Sequence, residues 1–98
     1  MNDLEKFMTD NNGNEVLIFK FSPICGISSS VERELDKFLS KNPSIPILKI
    51  DVIFKRDISN KIADLFGIRH ESPQLIQLNN KHEVEKYASH YEILNLLK

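Results

Sequence analysis

A single stretch, in which an apolar run leads through a short turn into an amphipathic helix, constrains the fold most. Residues 16–21 read VLIFKF, a near-continuous apolar run of the kind found in a central strand covered on both faces. After the turn, apolar residues recur at helical spacing, at Ile27, Val31, Leu35, Phe38 and Leu39. A buried strand that leads directly into such a helix is typical of an α/β fold.

The turn between this strand and this helix carries Cys25, the only cysteine among the 98 residues. The first amides of a helix lack intrahelical acceptors and the helix dipole adds partial positive charge, so a cysteine at this place is favoured as the reactive thiolate. The start of the helix stays open between two possibilities. A capping box of Ser29 with Glu32 would leave Cys25 outside the helix, whereas a start at Gly26 would give the thiol the full effect.

We predict that Cys25 is the catalytic nucleophile and that the hydroxyl of Ser28 donates a hydrogen bond to its thiolate. A cysteine in such a turn lies off the apolar stripe of the helix, and Ile24 and Ile27 are better candidates for burial there. The alternatives are that Cys25 is a buried, inert side chain, as free cysteines usually are, and that Ser28 serves only to start the helix.

Further helix and strand patterns complete the chain on either side of this stretch. Strands are predicted at residues 16–21, 47–52, 74–78 and 83–88, with a turn at Asn79-Asn80 between the last two. The first helix is capped by Asp3 and has Leu4, Phe7 and Met8 on one face, and the last helix begins with a Ser89–Glu92 capping box. A further helix is capped by Asp57 and ends at Gly67 as its C-cap, and its buried stripe is Ile58, Ile62, Leu65 and Phe66. The order α-β-α-β-α-β-β-α predicts a mixed four-stranded sheet flanked by helices, a thioredoxin-like α/β fold in one domain at residues 1–98.

The composition argues against several classes of function. With 41% hydrophobic residues, 28% charged residues and a formal charge of −1, the chain has no electrostatic reason to bind nucleic acid or an anionic membrane. No apolar run approaches the roughly 20 residues of a membrane span, and the polar N-terminus does not resemble a secretory signal. A lone cysteine offers no internal disulfide, so we expect a cytoplasmic protein with a reduced thiol.

Two further segments are candidates for the site. Ser72-Pro73 precedes the third strand, where a cis bond would turn the backbone of Ser72 toward Cys25 to pair with a thiol substrate; the alternative is an ordinary trans proline. Ser89 and His90 begin the last helix, whose free amides can hold a carboxylate; the alternative is an exposed histidine without a role.

The remaining candidates are one lysine and two histidines. Lys20 is a candidate substrate-binding residue at the end of the first strand, where a cation would also lower the pKa of a nearby thiol, although a lysine at a strand end is more often simply solvated. His70 and His82 resemble loop residues. The histidines lack the spacing of a metal site, and one thiol cannot supply a complete zinc or iron–sulfur ligand set, so no metal site is predicted.

Several of these residues resemble the motifs of one family over nearly the whole chain. They are Lys20-x-Ser22-x-x-Cys25-x-Ile27-Ser28, His70-Glu71-Ser72-Pro73-Gln74 and Ser89-His90-Tyr91, of which the His-Glu-Ser-Pro-Gln string is the most specific. The chain thereby resembles the monothiol bacilliredoxins of the thioredoxin superfamily. The usual motif of that family is Cys-Pro-Ile-Ser, so Gly26 replaces its proline, and Tyr91 stands where an aromatic residue, often tryptophan, follows the histidine.

This resemblance implies a thiol-disulfide oxidoreductase linked to bacillithiol, the low-molecular-weight thiol that caps protein cysteines under oxidative stress. Cys25 would attack the bacillithiol sulfur of a capped client protein. Ser72-Pro73 would align the mixed disulfide, and the carboxylates of bacillithiol would bind at Ser89 and His90. The implied partners are thiolated client proteins and the small thiol, which is a co-substrate rather than a bound cofactor. Because the chain has one cysteine, a second thiol must then release bacillithiol from Cys25.

Two other functions stay open. Cys-Gly-Ile-Ser also resembles the Cys-Gly-Phe-Ser of monothiol glutaredoxins, which share an iron–sulfur cluster between two subunits. Pro73-Gln74-Leu75 fits that pattern, but the Trp-Pro-Thr type of loop and the Gly-Gly pair before the last helix are missing. The third possibility is a thioredoxin-shaped interaction module with an unreactive cysteine, since a fold alone does not confer chemistry.

Overall fold

A computed structural model describes residues 2–97 and places four strands in one mixed sheet. The elements are α1 (Asp3–Asp10), β1 (Val16–Phe21), α2 (Gly26–Lys41), β2 (Ile47–Asp51), α3 (Arg56–Phe66), β3 (Gln74–Leu78), β4 (Val84–Ser89), a 3₁₀ turn (His90–Glu92) and α4 (Ile93–Leu96). The strand order is β2-β1-β3-β4; β1 and β2 are parallel, whereas β3 is antiparallel to both β1 and β4. This architecture confirms the thioredoxin-like fold class and the predicted element order.

The central strand β1 supplies side chains to the hydrophobic core on each face of the sheet. One core packs beneath α1 and α3 and includes Leu4, Val16, Ile18, Ile50, Ile58, Ile62 and Ile76. The other packs beneath α2 and α4 and includes Leu17, Phe19, Val31, Leu35, Leu75 and Ile93. Because successive strand residues point to opposite faces and both faces are covered, β1 reads as a continuous apolar run instead of an alternating one.

The first helix begins differently from the prediction. The N-cap of α1 is Asn2, whose Oδ1 accepts a hydrogen bond from the amide of Glu5 at 2.8 Å. Asp3 is therefore the first residue of the helix and not its cap. Its carboxylate still lies in the first turn, where negative charge opposes the positive end of the helix dipole.

The start of α3 also differs from the prediction. Asp51 closes the turn after β2, because its Oδ1 accepts hydrogen bonds from the amides of Ile53 and Phe54 at 2.9 and 3.2 Å. The chain enters α3 at Arg56, so Asp57 lies inside the first turn and does not cap the helix. At the other end, Gly67 is the C-cap with a φ of 64°, as predicted.

The β3–β4 connection is a longer loop than the predicted two-residue turn. The positive φ falls on His82, at 60°, and not on Asn79 or Asn80. The side chain of Asn79 organises the loop, since its Oδ1 accepts a hydrogen bond from the amide of Glu83 at 3.0 Å. β4 consequently begins one residue later than predicted.

One residue of the predicted α3 stripe lies outside the core. Leu65 is 58% exposed, whereas the buried face of α3 consists of Ile58, Ser59 and Ile62. The position of Ser59 on that face matters for the site described below. Within residues 2–97, no helix has the length and apolar character needed to cross a membrane.

Candidate active site

Cys25 is the N-cap residue of α2, at the end of the turn that follows β1. Its backbone is extended, with φ −106° and ψ 120°, and its carbonyl accepts a hydrogen bond from the amide of Ser29 at 3.3 Å. Of the two helix starts left open by the sequence, the structure has the start at Gly26, so the capping box of Ser29 with Glu32 does not form. The side chain of Cys25 is partly exposed and its thiol is free.

Hydrogen-bond donors of the first helical turn lower the pKa of Cys25. The largest contribution is the amide of Ser28; partial burial opposes it, and the amide of Ile27 and the hydroxyl of Ser28 add to it. Ser28 itself is buried, and its Oγ accepts a hydrogen bond from the amide of Ser22 at 3.1 Å. Because that bond uses a lone pair of Oγ, the hydroxyl proton stays available to donate to the thiolate. Ser28 therefore stabilises the turn through Ser22 and also contacts Cys25.

Ile24 projects from the molecule, contrary to the prediction that it is buried. The amide of Cys25 donates to the carbonyl of Ser22 at 3.2 Å, which closes a turn with Pro23 and Ile24 at its corners. Corner side chains point away from the sheet, and Ile24 is 85% exposed as a result. Ile27, the other residue predicted to be buried, is partly buried and packs against the core beneath α2 and α4.

The sheet register brings the Ser72-Pro73 segment to the same end of the sheet as the thiol. Lys20 of β1 pairs with Gln74 of β3, so Pro73 lies beside the end of β1 from which the chain continues to Cys25. Of the two alternatives left open by the sequence, the Ser72–Pro73 bond is the cis one, and Pro73 is buried. The carbonyl of Pro73 accepts a hydrogen bond from the amide of His90 at 2.9 Å.

Ser89 and His90 lie next to Pro73, but the structure does not place them at the start of a regular helix. A 3₁₀ turn and a four-residue helix follow, and Ser89 makes no capping bond, so the predicted Ser89–Glu92 box is wrong. His90 has a φ of 57°, which turns the chain sharply after β4. Too few aligned peptides remain for a helix-dipole anion site.

The side chains of Ser89 and His90 instead face an acidic neighbour. Ser89 Oγ donates to Glu71 Oε1 at 3.1 Å, and His90 Nδ1 lies 3.8 Å from Glu71 Oε2. Ser89 Oγ also accepts a hydrogen bond from the buried Gln74 side chain at 3.3 Å. Glu71, Ser89 and His90 line a shallow cleft that also contains Tyr91. A carboxylate ligand at Ser89 would therefore compete with Glu71 for the Ser89 hydroxyl.

A comparison with protein families gives the decisive assignment. The family model described as "Monothiol bacilliredoxin BrxC" matches residues 1–96. The chain belongs to the monothiol bacilliredoxin family. This membership assigns it a monothiol redox function, in agreement with its single cysteine.

Solved structures agree on the fold of this bacilliredoxin. One neighbour, described as a candidate oxidoreductase with a thioredoxin fold, has a TM-score of 0.84 and 26% identity, and the match covers 99% of this chain and 89% of that one. Thioredoxin from Fasciola hepatica has a TM-score of 0.73 at 19% identity, covering 96% and 85% of the two chains. Thioredoxin from Trypanosoma brucei brucei has a TM-score of 0.78 at 15% identity, covering 99% and 81%. At such identities the two thioredoxins support the fold alone.

Lys20 occupies an unexpected environment in this bacilliredoxin. Both sequence-based interpretations of it were wrong, because its side chain is 0% exposed and the pKa of Cys25 is set by Ser28 and Ile27 instead. The ammonium group lies under α3, where Nζ donates to the carbonyl of Ser59 at 2.9 Å. Burial lowers the pKa of Lys20 to about 8. A fully buried side chain cannot contact a substrate, so Lys20 is not a substrate-binding residue.

The partner of Lys20 is a histidine that sequence reasoning treated as a plain loop residue. His70 Nδ1 lies 3.2 Å from Lys20 Nζ and 3.2 Å from Ser59 Oγ. A lysine inside an apolar central strand was the available signal, because a buried ammonium requires polar partners. The sequence could not identify those partners, which come from α3 and from the loop before β3.

Gly26, which replaces the usual proline of the family, is the first residue of α2. Its φ is not positive, and a Cβ built on it would meet no atom within 4 Å. The local structure therefore does not require glycine here. Among residues 2–97, no three His, Cys, Asp or Glu side chains are grouped in a way that could hold a metal ion.

Proposed function

We propose that this bacilliredoxin removes bacillithiol from mixed disulfides on client proteins. The Cys25 thiolate attacks the bacillithiol sulfur, a new disulfide forms between Cys25 and bacillithiol, and the bond between bacillithiol and the client breaks. Its electron pair leaves with the client sulfur, which takes a proton from solvent. The carrying observation is that Cys25, partly exposed at the N-cap of α2, has a pKa lowered by the Ser28 and Ile27 donors.

The enzyme returns to its starting state through a second thiol. The chain has one cysteine, so no internal thiol can attack the disulfide on Cys25. An external thiolate attacks the bacillithiol sulfur, a disulfide forms between that thiol and bacillithiol, and the bond to Cys25 breaks with its electron pair left on Cys25 as the thiolate. The cycle therefore requires a partner that supplies reducing equivalents as a thiol.

Other residues around the thiol have proposed roles in binding. Ser72-Pro73 aligns the mixed disulfide, a role supported by its position beside the end of β1. Ser89 and His90 are the proposed contacts of the bacillithiol carboxylates. Binding there exchanges the Ser89–Glu71 hydrogen bond for one to the ligand.

Protein clients, and not only small disulfides, fit the surface around the thiol. Ile24 is 85% exposed next to Cys25, and Phe54 is 80% exposed after β2. β1 and β2 are parallel, so the segments that follow them leave the same edge of the sheet. Exposed apolar side chains beside a reactive group suit a partner with its own apolar surface.

The test uses a protein with a single surface cysteine that carries bacillithiol. Wild-type enzyme is expected to release the free client thiol and to acquire the mass of one bacillithiol on Cys25. The Cys25→Ser variant is expected to do neither, because a hydroxyl is not a nucleophile for disulfides at neutral pH. Ser29→Ala is the matched control, an exposed serine of the same helical turn. Release of bacillithiol by wild type and by Ser29→Ala, but not by Cys25→Ser, supports the proposal; equal release by Cys25→Ser would refute it.

A further inference from the structure

The buried ammonium of Lys20 has no acidic partner in the described part of the chain. The ion pairs found among residues 2–97 involve other lysines and His90, and none includes Lys20. Burying a cation without a counterion is costly, and an apolar side chain of similar length would fill the same space. The charge at this position therefore calls for a role that methionine or leucine could not provide.

That role is visible in the hydrogen bonds around His70. Nδ1 of His70 lies within hydrogen-bond distance of two donors, Lys20 Nζ and Ser59 Oγ, both at 3.2 Å. It can accept from them only in the neutral tautomer that carries its proton on Nε2. We call Lys20, Ser59 and His70 the lysine clamp. The clamp joins β1, α3 and the loop before β3 at a point where Lys20 and Ser59 are buried and His70 is exposed at the surface.

The loop held by the clamp is the one that carries Ser72. Its first part is held by the Gln74 side chain, which donates to the carbonyl of Arg69 at 3.0 Å, and its last part by the Pro73 carbonyl, which accepts from the amide of His90. Between these points, the imidazole of His70 is tied to β1 and α3. Ser72 follows two residues later, and its Oγ is buried without a hydrogen-bond partner in the described structure.

We propose that Lys20 and His70 are positioning residues, which hold residues 69–73 against β1 and α3 and so fix where Ser72 meets the backbone of a client peptide. The inference rests on the proposed function, because it assumes that clients bind along this loop. It adds His70 to the residues of the site, and it changes Lys20 from a substrate contact into an internal support.

The clamp depends on pH through His70. The imidazole is faced by Lys20 from β1, Arg56 from α3 and Glu71 from its own loop; burial, Lys20 and Arg56 lower its pKa, and Glu71 opposes them. At neutral pH the ring is therefore neutral and accepts the two hydrogen bonds. Below the ordinary histidine pKa of about 6.5, protonation removes the acceptor and sets an imidazolium against the ammonium, which opens the clamp.

The test compares two probes that differ only in backbone. One is a short peptide whose central cysteine forms a disulfide with bacillithiol; the other is the same disulfide of N-acetylcysteine amide. The thiolate fraction of Cys25 enters both second-order rate constants equally and cancels in their ratio. The ratio therefore reports how much alignment of the peptide backbone contributes to the rate. Lys20→Met and His70→Ala are expected to lower this ratio about tenfold, the factor expected for loss of a hydrogen bond to a charged group. His70→Asn keeps an acceptor near the Nδ1 position and is expected to restore most of the ratio.

Two comparisons complete the design. His82→Asn is the matched control, since His82 lies in the β3–β4 loop and its Nε2 is 3.0 Å from the carbonyl of Asn11. On acidification, the wild-type ratio is expected to fall as His70 protonates, whereas the His70→Asn ratio stays level. The wild-type pH profile needs no substitution, so it tests the inference even if a variant does not fold.

The possible failures of the two proposals are distinct. If wild-type enzyme acts on both probes and the ratio is unchanged in Lys20→Met, in His70→Ala and on acidification, the clamp has no positioning role and the proposed function stands. If wild-type enzyme acts on neither probe, the proposed function fails, and the inference fails with it.

Discussion

The buried charge of Lys20 makes a quantitative prediction about folding stability. Desolvation lowers the pKa of Lys20 from its ordinary 10.5 to about 8 in the folded protein. In the unfolded chain the side chain is solvated and keeps its proton until the ordinary pKa. Between these two pH values the unfolded state therefore binds more protons than the folded state, so stability rises with pH. Replacing the lysine with methionine removes this titration and retains a side chain of similar length.

The size of the effect follows from the difference between the two pKa values. Each pKa unit corresponds to about 1.4 kcal/mol, so Lys20 makes the free energy of unfolding rise by about 3 kcal/mol between its folded and unfolded pKa. At neutral pH, below both pKa values, the free energy of unfolding of wild-type protein is lowered by this full amount, because the charged Lys20 is buried. The stability of Lys20→Met relative to wild type is thus highest at neutral pH and declines by about 3 kcal/mol as the pH approaches 10.5.

Urea unfolding followed by circular dichroism, under reducing conditions and at a series of pH values, measures this difference. Contributions from the groups that wild type and Lys20→Met share cancel in the difference between the two proteins. Lys49→Met is the matched control: burial lowers the pKa of Lys49, but hydrogen bonds to Asp36 and Glu32 outweigh it and raise the pKa overall. The stabilisation from Lys49 is present below its unfolded pKa and is lost as the pH rises through its folded pKa. Parallel stability curves for wild type and Lys20→Met would refute the reasoning.

Two further predictions concern the ends of helices. Ser28→Ala is expected to raise the pKa of Cys25, because it removes one donor to the thiolate while the amides of Ser28 and Ile27 remain. The rate of iodoacetamide alkylation as a function of pH measures this pKa. An unchanged titration of Cys25 would show that the Ser28 hydroxyl does not belong to the site. Gly67→Ala is expected to lower the free energy of unfolding in urea by about 1 kcal/mol, since Gly67 has a φ of 64°. Gly26→Ala is the control, because Gly26 has an ordinary φ and a Cβ there would meet open space, and it is expected to show no loss of stability. Equal stability of the two alanine variants would contradict a left-handed C-cap at Gly67.

Patterns repeated over many residues predicted the fold well. The α2 stripe repeats over several turns, and the β3 bounds were predicted without error because apolar content and turn signals agree there. The errors fall where several polar residues compete for one local role. Asn2 and Asp3 both suit an N-cap, and so do Cys25 and Ser29; which one serves depends on the direction in which the preceding chain arrives.

The candidate site was predictable where its chemistry is local and where the fold class itself brings a segment to the thiol, as it does Ser72-Pro73. The sequence placed Cys25 between a strand and a helix, and its first-turn donors followed from that position. The His70 partner of Lys20 lies 50 residues away, so only the tertiary fold reveals it. Ile24 shows the opposite error, because hydrophobicity suggested burial and the turn geometry directs the side chain to solvent.

The glycine at the entrance to α2 has a consequence for how the family can vary. The amides that lower the pKa of the thiol belong to Ile27 and Ser28, and the amide of Gly26 is not among them. A proline at this position would therefore remove no donor from the sulfur, and its fixed φ suits the first position of a helix. Exchange between glycine and proline alters the stiffness of the approach to the helix and leaves the charge environment of the nucleophile intact.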